Sequence, residues 1–204
     1  MLTLLLVRHA EAEGNSEGRF IGQADVPLTD GGRAQVGRLT ERLVRWPITR
    51  IVSSDLQRCR DTVGPTARRL GIEMTTDEDL REIANGDWGG RLAEEIEAEW
   101  PDLFARYRGG EDVPRPGGER WADVSRRVTR TLERIAAAAD TGETVLVGTH
   151  AGPTLAAMRW AAGMPVDGNV FRGPFTGVVN TAISTIAFPG PQVAGFNDAA
   201  HLEA

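Results

Sequence analysis

The chain contains no lysine; all 23 of its basic residues are arginine. That absence reads as a compositional bias and assigns no function by itself. Cysteine occurs once, at Cys59, so no intrachain disulfide can form. A reducing, cytoplasmic setting is the simplest expectation from that count. No apolar run approaches the roughly 18 residues that a membrane span needs. The opening stretch MLTLLLV also lacks the basic lead and small-residue cleavage pattern of a secretory signal. With a net charge of −6, the chain lacks the basic excess of a general nucleic-acid binder. Membrane and nucleic-acid partners are therefore not expected. What remains is ordinary for a folded domain: 204 residues, 41% hydrophobic and 25% charged. These values exclude a disordered chain, a collagenous repeat and a disulfide scaffold. Such a length buries about 70% of the unfolded surface, so neither a disulfide nor a metal is needed for a core.

Residues 2–7 (LTLLLV) form a continuous apolar run that stops at Arg8 and His9, the pattern of a strand covered on both faces. Thr29 is placed as the N-cap of a helix carried by Ala34, Val36, Leu39 and Leu43 and closed by Trp46 and Pro47. Ile51 and Val52 give a second short strand. A helix follows over about 56–70, with a kink or restart expected at Gly64–Pro65. Residues 74–80 read as extended. The stretch 86–120 differs in texture: it holds Trp88 and Trp100, the acidic run AEEIEAEW and the loop VPRPGGE. It reads as a lid-like insertion of short helices. Val124, Val128, Leu132 and Ile135 mark one face of a long helix, and TVLVG at 144–148 is a strand that ends at His150. Pro153 opens a helix that stops at Gly163, and two strands follow, at 182–188 and 192–196. This alternation predicts an α/β fold. We expect a three-layer α/β/α sandwich with a mostly parallel central sheet, in a single domain over 1–204.

Two of the chain's three histidines, His9 and His150, directly follow apolar strands. In open α/β sheets the carboxyl ends of the strands line the ligand crevice, so both imidazoles are expected in one pocket. Arg8 adjoins His9, and Arg58 comes soon after the strand RIVSS. Two guanidiniums beside two imidazoles suit a dianion, and arginine's planar fork matches phosphate oxygens bidentately.

Six stretches, in order, carry a resemblance: LLVRHAEAEGN, RFIGQADVPLTDGGRAQ, IVSSDLQRCRDT, LREIANGDWGG, PGGERWADVSRRV and VGTHAG. Together they resemble the histidine phosphatase superfamily, in the branch that holds the cofactor-dependent phosphoglycerate mutases. The closing NTAISTIAF and FNDAAHL look like the ends of its phosphatase members. The resemblance implies that His9 is the nucleophile and becomes phosphohistidine. Arg8, Asn15 and Arg58 would hold phosphoryl oxygens, and His150 would hydrogen-bond the group in flight. Glu82 would protonate the leaving oxygen and later activate water. Ile21 and Gly22 fall where the family contacts the rest of the substrate. Ala151, in THAG where SHGG is usual, is expected to narrow the pocket. Ala10 stands where glycine is commoner, and Ile21 where a polar residue is frequent.

These roles fit the chemistry. Imidazole attacks only when neutral, and flanking arginines disfavour its protonation. Guanidiniums stabilise the equatorial oxygens of a transferring phosphoryl group. The expected activity is metal-independent hydrolysis of a small phosphorylated metabolite, with no cofactor. Three rivals remain: a phosphoglycerate mutase on the same fold, a metal hydrolase or oxygenase using His9, His150 and Glu82, and a non-catalytic phosphate-binding module. The acidic insertion opposes a second substrate phosphate, and Arg8 and Arg58 oppose a divalent cation. Trp100, Leu103 and Phe104 are expected to meet an organic leaving group.

Overall fold

In the computed structural model, which describes residues 1–203, six strands form one sheet in the order β3-β2-β4-β1-β5-β6. They are β1 (Thr3–Arg8), β2 (Arg50–Ser53), β3 (Met74–Thr76), β4 (Thr144–Thr149), β5 (Ile183–Ala187) and β6 (Gln192–Asp198). β1, β4, β2 and β3 pair in parallel, and β5 is antiparallel to both of its neighbours. The sheet is therefore mostly parallel, as expected.

Side-chain alternation along β1 builds the three layers. Leu4 and Leu6 join one core with Val145 and Val147 of β4. Two helices cover that face: α5 (Trp121–Ala137), through Val124, Val128, Leu132 and Ile135, and α6 (Ala151–Ala161), through Leu155 and Met158. Leu5 and Val7 point the other way and pack with Leu146. On that face α1 (Asp30–Leu43) contributes Leu39 and Leu43, and α2 (Gln57–Leu70) contributes Val63 and Ala67. A period of two in a central strand thus serves two cores at once.

Thr29 caps α1, accepting the Gly32 N–H on its hydroxyl. The helix stops at Leu43, short of Trp46. One further expectation is narrowed and another corrected. No restart occurs at Gly64–Pro65; α2 runs through as one helix with Pro65 inside it. Val63 and Ala67, buried on either side of that proline, hold the turn against the sheet. Residues 74–80 are extended only as far as Thr76. A 3-10 turn then covers Glu78–Leu80, where the Asp77 side chain accepts the Asp79 N–H.

The insertion contains a 3-10 turn at Gly86–Trp88, α3 (Ala93–Glu99) and α4 (Pro101–Arg108). Its buried side chains Trp88, Ile96, Phe104 and Val113 form a separate cluster, joined by Phe20 and Tyr107. Phe104 and Tyr107 stack with ring centroids 5.6 Å apart.

Leu132 is fully buried in the larger core. Leu132→Ala should cost about 2–5 kcal/mol in urea unfolding through lost burial and the cavity left behind. A change under about 0.5 kcal/mol would contradict this packing of α5 on the sheet.

Candidate active site

The parallel ladder of β1 and β4 ends in step, with Arg8 opposite Thr149. One more backbone bond, from His9 N–H to Thr149 O at 2.8 Å, carries the register past the strand ends. The residues that follow on each strand, His9 and His150, consequently meet edge to face with ring centroids 5.1 Å apart. Beside them Ser54, just past β2, donates its own backbone N–H to Gly148 O. Three adjacent carboxyl ends thus frame the site, as the crevice rule for α/β sheets requires.

His9 is buried, and its Nδ1 lies 2.7 Å from the Ala10 carbonyl. A carbonyl only accepts, so Nδ1 carries the proton and Nε2 keeps the lone pair. Burial holds the imidazole well below its usual titration range, and the charges of Arg58 and Arg8 push it further the same way. The loop after His9 is pinned by Thr62 on α2, whose hydroxyl accepts the Ala10 N–H and donates to Arg58 O. Asn180 Nδ2 donates to His9 O.

A cavity of about 270 Å³ opens in front of His9. Arg8, Asn15, Ile21, Gly22, Arg58 and Glu82 line it, so the structure brings these predicted residues together. Arg58 donates to the carbonyls of Gly22 at 2.6 Å and Ala24 at 2.7 Å, which clamps the loop against the site. Arg8 donates to Val178 O, and its buried Nε has no partner among the described residues. Burial lowers the pKa of both guanidiniums, the sign of cations with little compensation. Asn15 accepts the Ala12 N–H on its oxygen. Gly22 has a φ of +56°, and a Cβ there would press on Ile83 O, so glycine is required at this crossing.

Glu82 accepts the Ile83 N–H on one oxygen and the Gly152 N–H, at 3.2 Å, on the other. Its carbonyl accepts from Gln23 and from Arg127. A Cβ at Gly152 would lie 2.5 Å from Glu82 Oε1 and 2.3 Å from the Trp121 ring. Glycine at that place is what lets the carboxylate approach the start of α6.

Two predicted residues stand elsewhere. His150 is fully buried behind His9 rather than in the cavity wall. Its Nε2 lies 3.0 Å from Ser54 Oγ and 3.3 Å from Cys59 Sγ. Burial first, then Arg58 and His9, lower its pKa strongly. Ala151 is not among the residues lining the cavity: the first residue of α6, it is half-buried and packs against the larger core. Nor do Trp100, Leu103 and Phe104 reach the wall; they belong to the insertion's own cluster. The far wall consists instead of Phe20, Asn85, Tyr107, Arg115, Trp121 and Phe171. Sequence reasoning missed these because each is an ordinary residue in a separate segment. Arg115, between two prolines, offered the best signal.

The depressed imidazoles predict a pH dependence. Histidines of the unfolded chain take up protons near pH 6.5, as ordinary imidazoles do, whereas His9 and His150 resist until lower pH. Their contribution to stability is therefore full above that value and is lost as pH falls below it. In an NMR titration, their imidazole C–H resonances should stay at the neutral position at pH 6. A midpoint at or above 6.5 for His9 would contradict the described environment.

A profile of the histidine phosphatase superfamily (branch 1) matches residues 4–194. Bifunctional protein Rv2228c of Mycobacterium tuberculosis is 37% identical over 159 residues, covering 78% of this chain and 43% of that longer protein. The chain thus spans less than half the length of that relative. Glucosyl-3-phosphoglycerate phosphatase of Mycolicibacterium vanbaalenii is 34% identical over 172 residues, covering 80% of this chain and 76% of that protein. Among solved structures, Bacillus stearothermophilus YhfR superposes with a TM-score of 0.88 at 32% identity, covering 99% of this chain and all of that one. With the family profile matched over nearly its whole length, the chain belongs to the histidine phosphatase superfamily, branch 1.

Proposed function

We propose that the protein hydrolyses small phosphate monoesters through a phosphohistidine at His9. The observation that carries the reading is the His9 tautomer: Nδ1 is committed to Ala10 O, which leaves a neutral Nε2 at the cavity between two guanidiniums. Membership of the family, and a relative named as a phosphatase of a phosphorylated metabolite, support it. Residues 86–120 act in this reading as a lid within a single domain. A cytoplasmic setting accords with one buried thiol, Cys59, which burial pushes far above its ordinary pKa and leaves inert.

In the first step the His9 Nε2 lone pair attacks phosphorus, and the phosphorus–oxygen ester bond breaks. Glu82 passes its proton to the departing oxygen, because an alkoxide leaves poorly without one. Arg8, Arg58 and the Asn15 amide hold the equatorial oxygens, where charge builds in the transition state. In the second step Glu82 takes a proton from water, which attacks phosphorus and breaks the phosphorus–nitrogen bond. Phosphate departs and His9 is neutral again. His150, packed edge-on against His9, fixes the orientation of the nucleophile in addition to any contact it makes with the phosphoryl group. A cation is redundant here, since Arg8 and Arg58 already supply the charge.

His9→Ala should lower turnover of p-nitrophenyl phosphate by about three orders of magnitude or more, the scale of removing a nucleophile. Rapid quench of the unmodified enzyme should trap an acid-labile phosphoryl group. Retention of more than a tenth of the activity by the variant would exclude His9 as nucleophile. Activity should also survive EDTA; loss that magnesium or zinc restores would favour the metal-hydrolase rival. Interconversion of 3- and 2-phosphoglycerate faster than phosphate release would replace the hydrolase reading with the mutase.

A further inference from the structure

Thr181 has a φ of +61°, in the left-handed region that a β-branched residue rarely adopts. Its place in the fold explains the demand. Beyond the Val7–Ile183 pair, the antiparallel ladder of β1 and β5 continues irregularly. Arg8 N–H donates to Ala182 O, and Thr181 N–H donates to Arg8 O. Two residues thus oppose one, which makes a β-bulge, and the left-handed first position of such a bulge normally carries glycine. Glycine reaches that conformation freely and threonine does not. A strained backbone of this kind persists only where its surroundings over-determine it.

The side chain of Thr181 provides the hold. It is fully buried, and its hydroxyl donates to Asn180 O at 2.7 Å. The same oxygen lies 3.0 Å from Nε2 of His201, the chain's third histidine. The hydroxyl proton is already committed, so the oxygen accepts here and Nε2 carries the hydrogen. The other ring nitrogen gives the same answer independently: Nδ1 lies 3.2 Å from Arg42 Nη1, and a guanidinium only donates. His201 is itself buried, and Asp198 braces Arg42. Nearby, Asn197 also has a left-handed backbone; its side chain accepts the Val179 N–H and donates to Gly177 O. Residues 197–201 thereby hold residues 177–181 from outside the site.

What the bulge grips is the phosphoryl end of the cavity. Val178 O accepts from Arg8 Nη1, Thr181 N–H donates to Arg8 O, and Asn180 Nδ2 donates to His9 O. One short turn fixes the direction of a guanidinium and the backbone of the histidine beside it. We infer that His201 is a positioning residue for the phosphoryl end: it holds Thr181 in the left-handed conformation, and the resulting bulge aims Arg8 and His9 at the cavity. His201 is not among the residues that line the cavity, so it acts through Thr181. The inference rests on the phosphatase reading and adds to it a support outside the site.

The test follows turnover of p-nitrophenyl phosphate and calorimetric binding of inorganic phosphate, with thermal melting to verify the fold. His201→Phe should lower kcat/KM by about 10- to 100-fold and weaken phosphate binding by about 10-fold, the scale of a small misplacement at the reacting groups. His201→Gln offers an N–H and a carbonyl in place of the two ring nitrogens and should recover most of both. The deciding comparison is made at position 181. Thr181→Gly relieves the left-handed backbone of strain, so in that background His201→Phe should cost less than about 2-fold. A merely structural His201 would cost the same in both backgrounds. That outcome, or a loss in His201→Phe under about 3-fold, overturns the inference. If His201→Phe does not fold, Thr181→Val and Thr181→Gly decide. Valine keeps the strain and loses the hydroxyl, so it should be the more damaging of the two; valine equal to or better than glycine overturns the inference. If no ester is hydrolysed, the phosphatase reading falls, and phosphate affinity across the same variants still decides the role of His201. An unmodified protein that binds no phosphate overturns both.

Discussion

The bond from His9 N–H to Thr149 O is short in sequence terms and decisive in space, because it prolongs the β1–β4 ladder by one residue beyond the strands. Without that register, the two histidines would follow their strands at different heights and would not touch. With it, their rings meet at 5.1 Å, with His150 fully buried and His9 open only to the cavity. Desolvation is the first cause of the lowered pKa of each, ahead of any neighbouring charge. A backbone geometry thus becomes a protonation state, and the protonation state leaves a lone pair on His9 Nε2.

Charge is handled in an unusual way around that pair. Surface arginines such as Arg42, Arg106 and Arg134 each pair with a carboxylate. Arg8, Arg58 and Arg115 do not; the protein holds them through carbonyls of Val178, Gly22, Ala24 and Glu119. A carbonyl fixes the direction of a guanidinium without cancelling its charge. The cavity therefore keeps a positive potential inside a protein of net charge −6, and part of the folding stability is given up to maintain it. Among the described residues Glu82 is the single acidic side chain in the wall, and backbone N–H groups rather than arginines hold its carboxylate. An arrangement that separates acid from cation is what proton transfer beside an anion needs.

How much of this the chain discloses depends on how local the cause is. The buried strands β1 and β4, the Thr29 cap and the apolar face of α5 follow from runs and spacings within one segment. The 3-10 turn after Thr76 does not, since Asp77 and Asp79 are compatible with either extended or turned backbone until the side-chain cap forms. In the site, residues at strand ends were legible because strand ends converge. Ala151 was placed at the pocket only as the linear neighbour of His150. The extended backbone of His150 and the first turn of α6 lay Ala151 against the core and bring Gly152 to Glu82. Arg115 was unreadable as a buried cation because its cage draws on residues 88, 107 and 121, which meet only after the insertion has folded.

That meeting couples the two ends of the cavity. Residues 84–87 and 116–119 cross closely: Asp87 N–H donates to Pro116 O, Glu119 N–H to Ala84 O, and Ala84 N–H to Glu119 Oε2. At the crossing, a Cβ on Gly86 would lie 2.0 Å from Pro116 O, and one on Gly118 would lie 2.3 Å from Ala84 O. Arg115 is thereby tied, within a few bonds, to the strand of chain that begins at Glu82. The insertion's aromatic cluster then fixes Tyr107 and Trp88 against the same arginine. Within the insertion, Trp88 packs against the Arg115 guanidinium, whereas Trp100 packs against Arg91, away from the cavity. Repositioning that wall would require repacking the insertion core and would shift Glu82 with it. The wall around Arg115 and the Glu82 carboxylate therefore belong to one packed unit, while the ends of β1, β2 and β4 place His9 and His150.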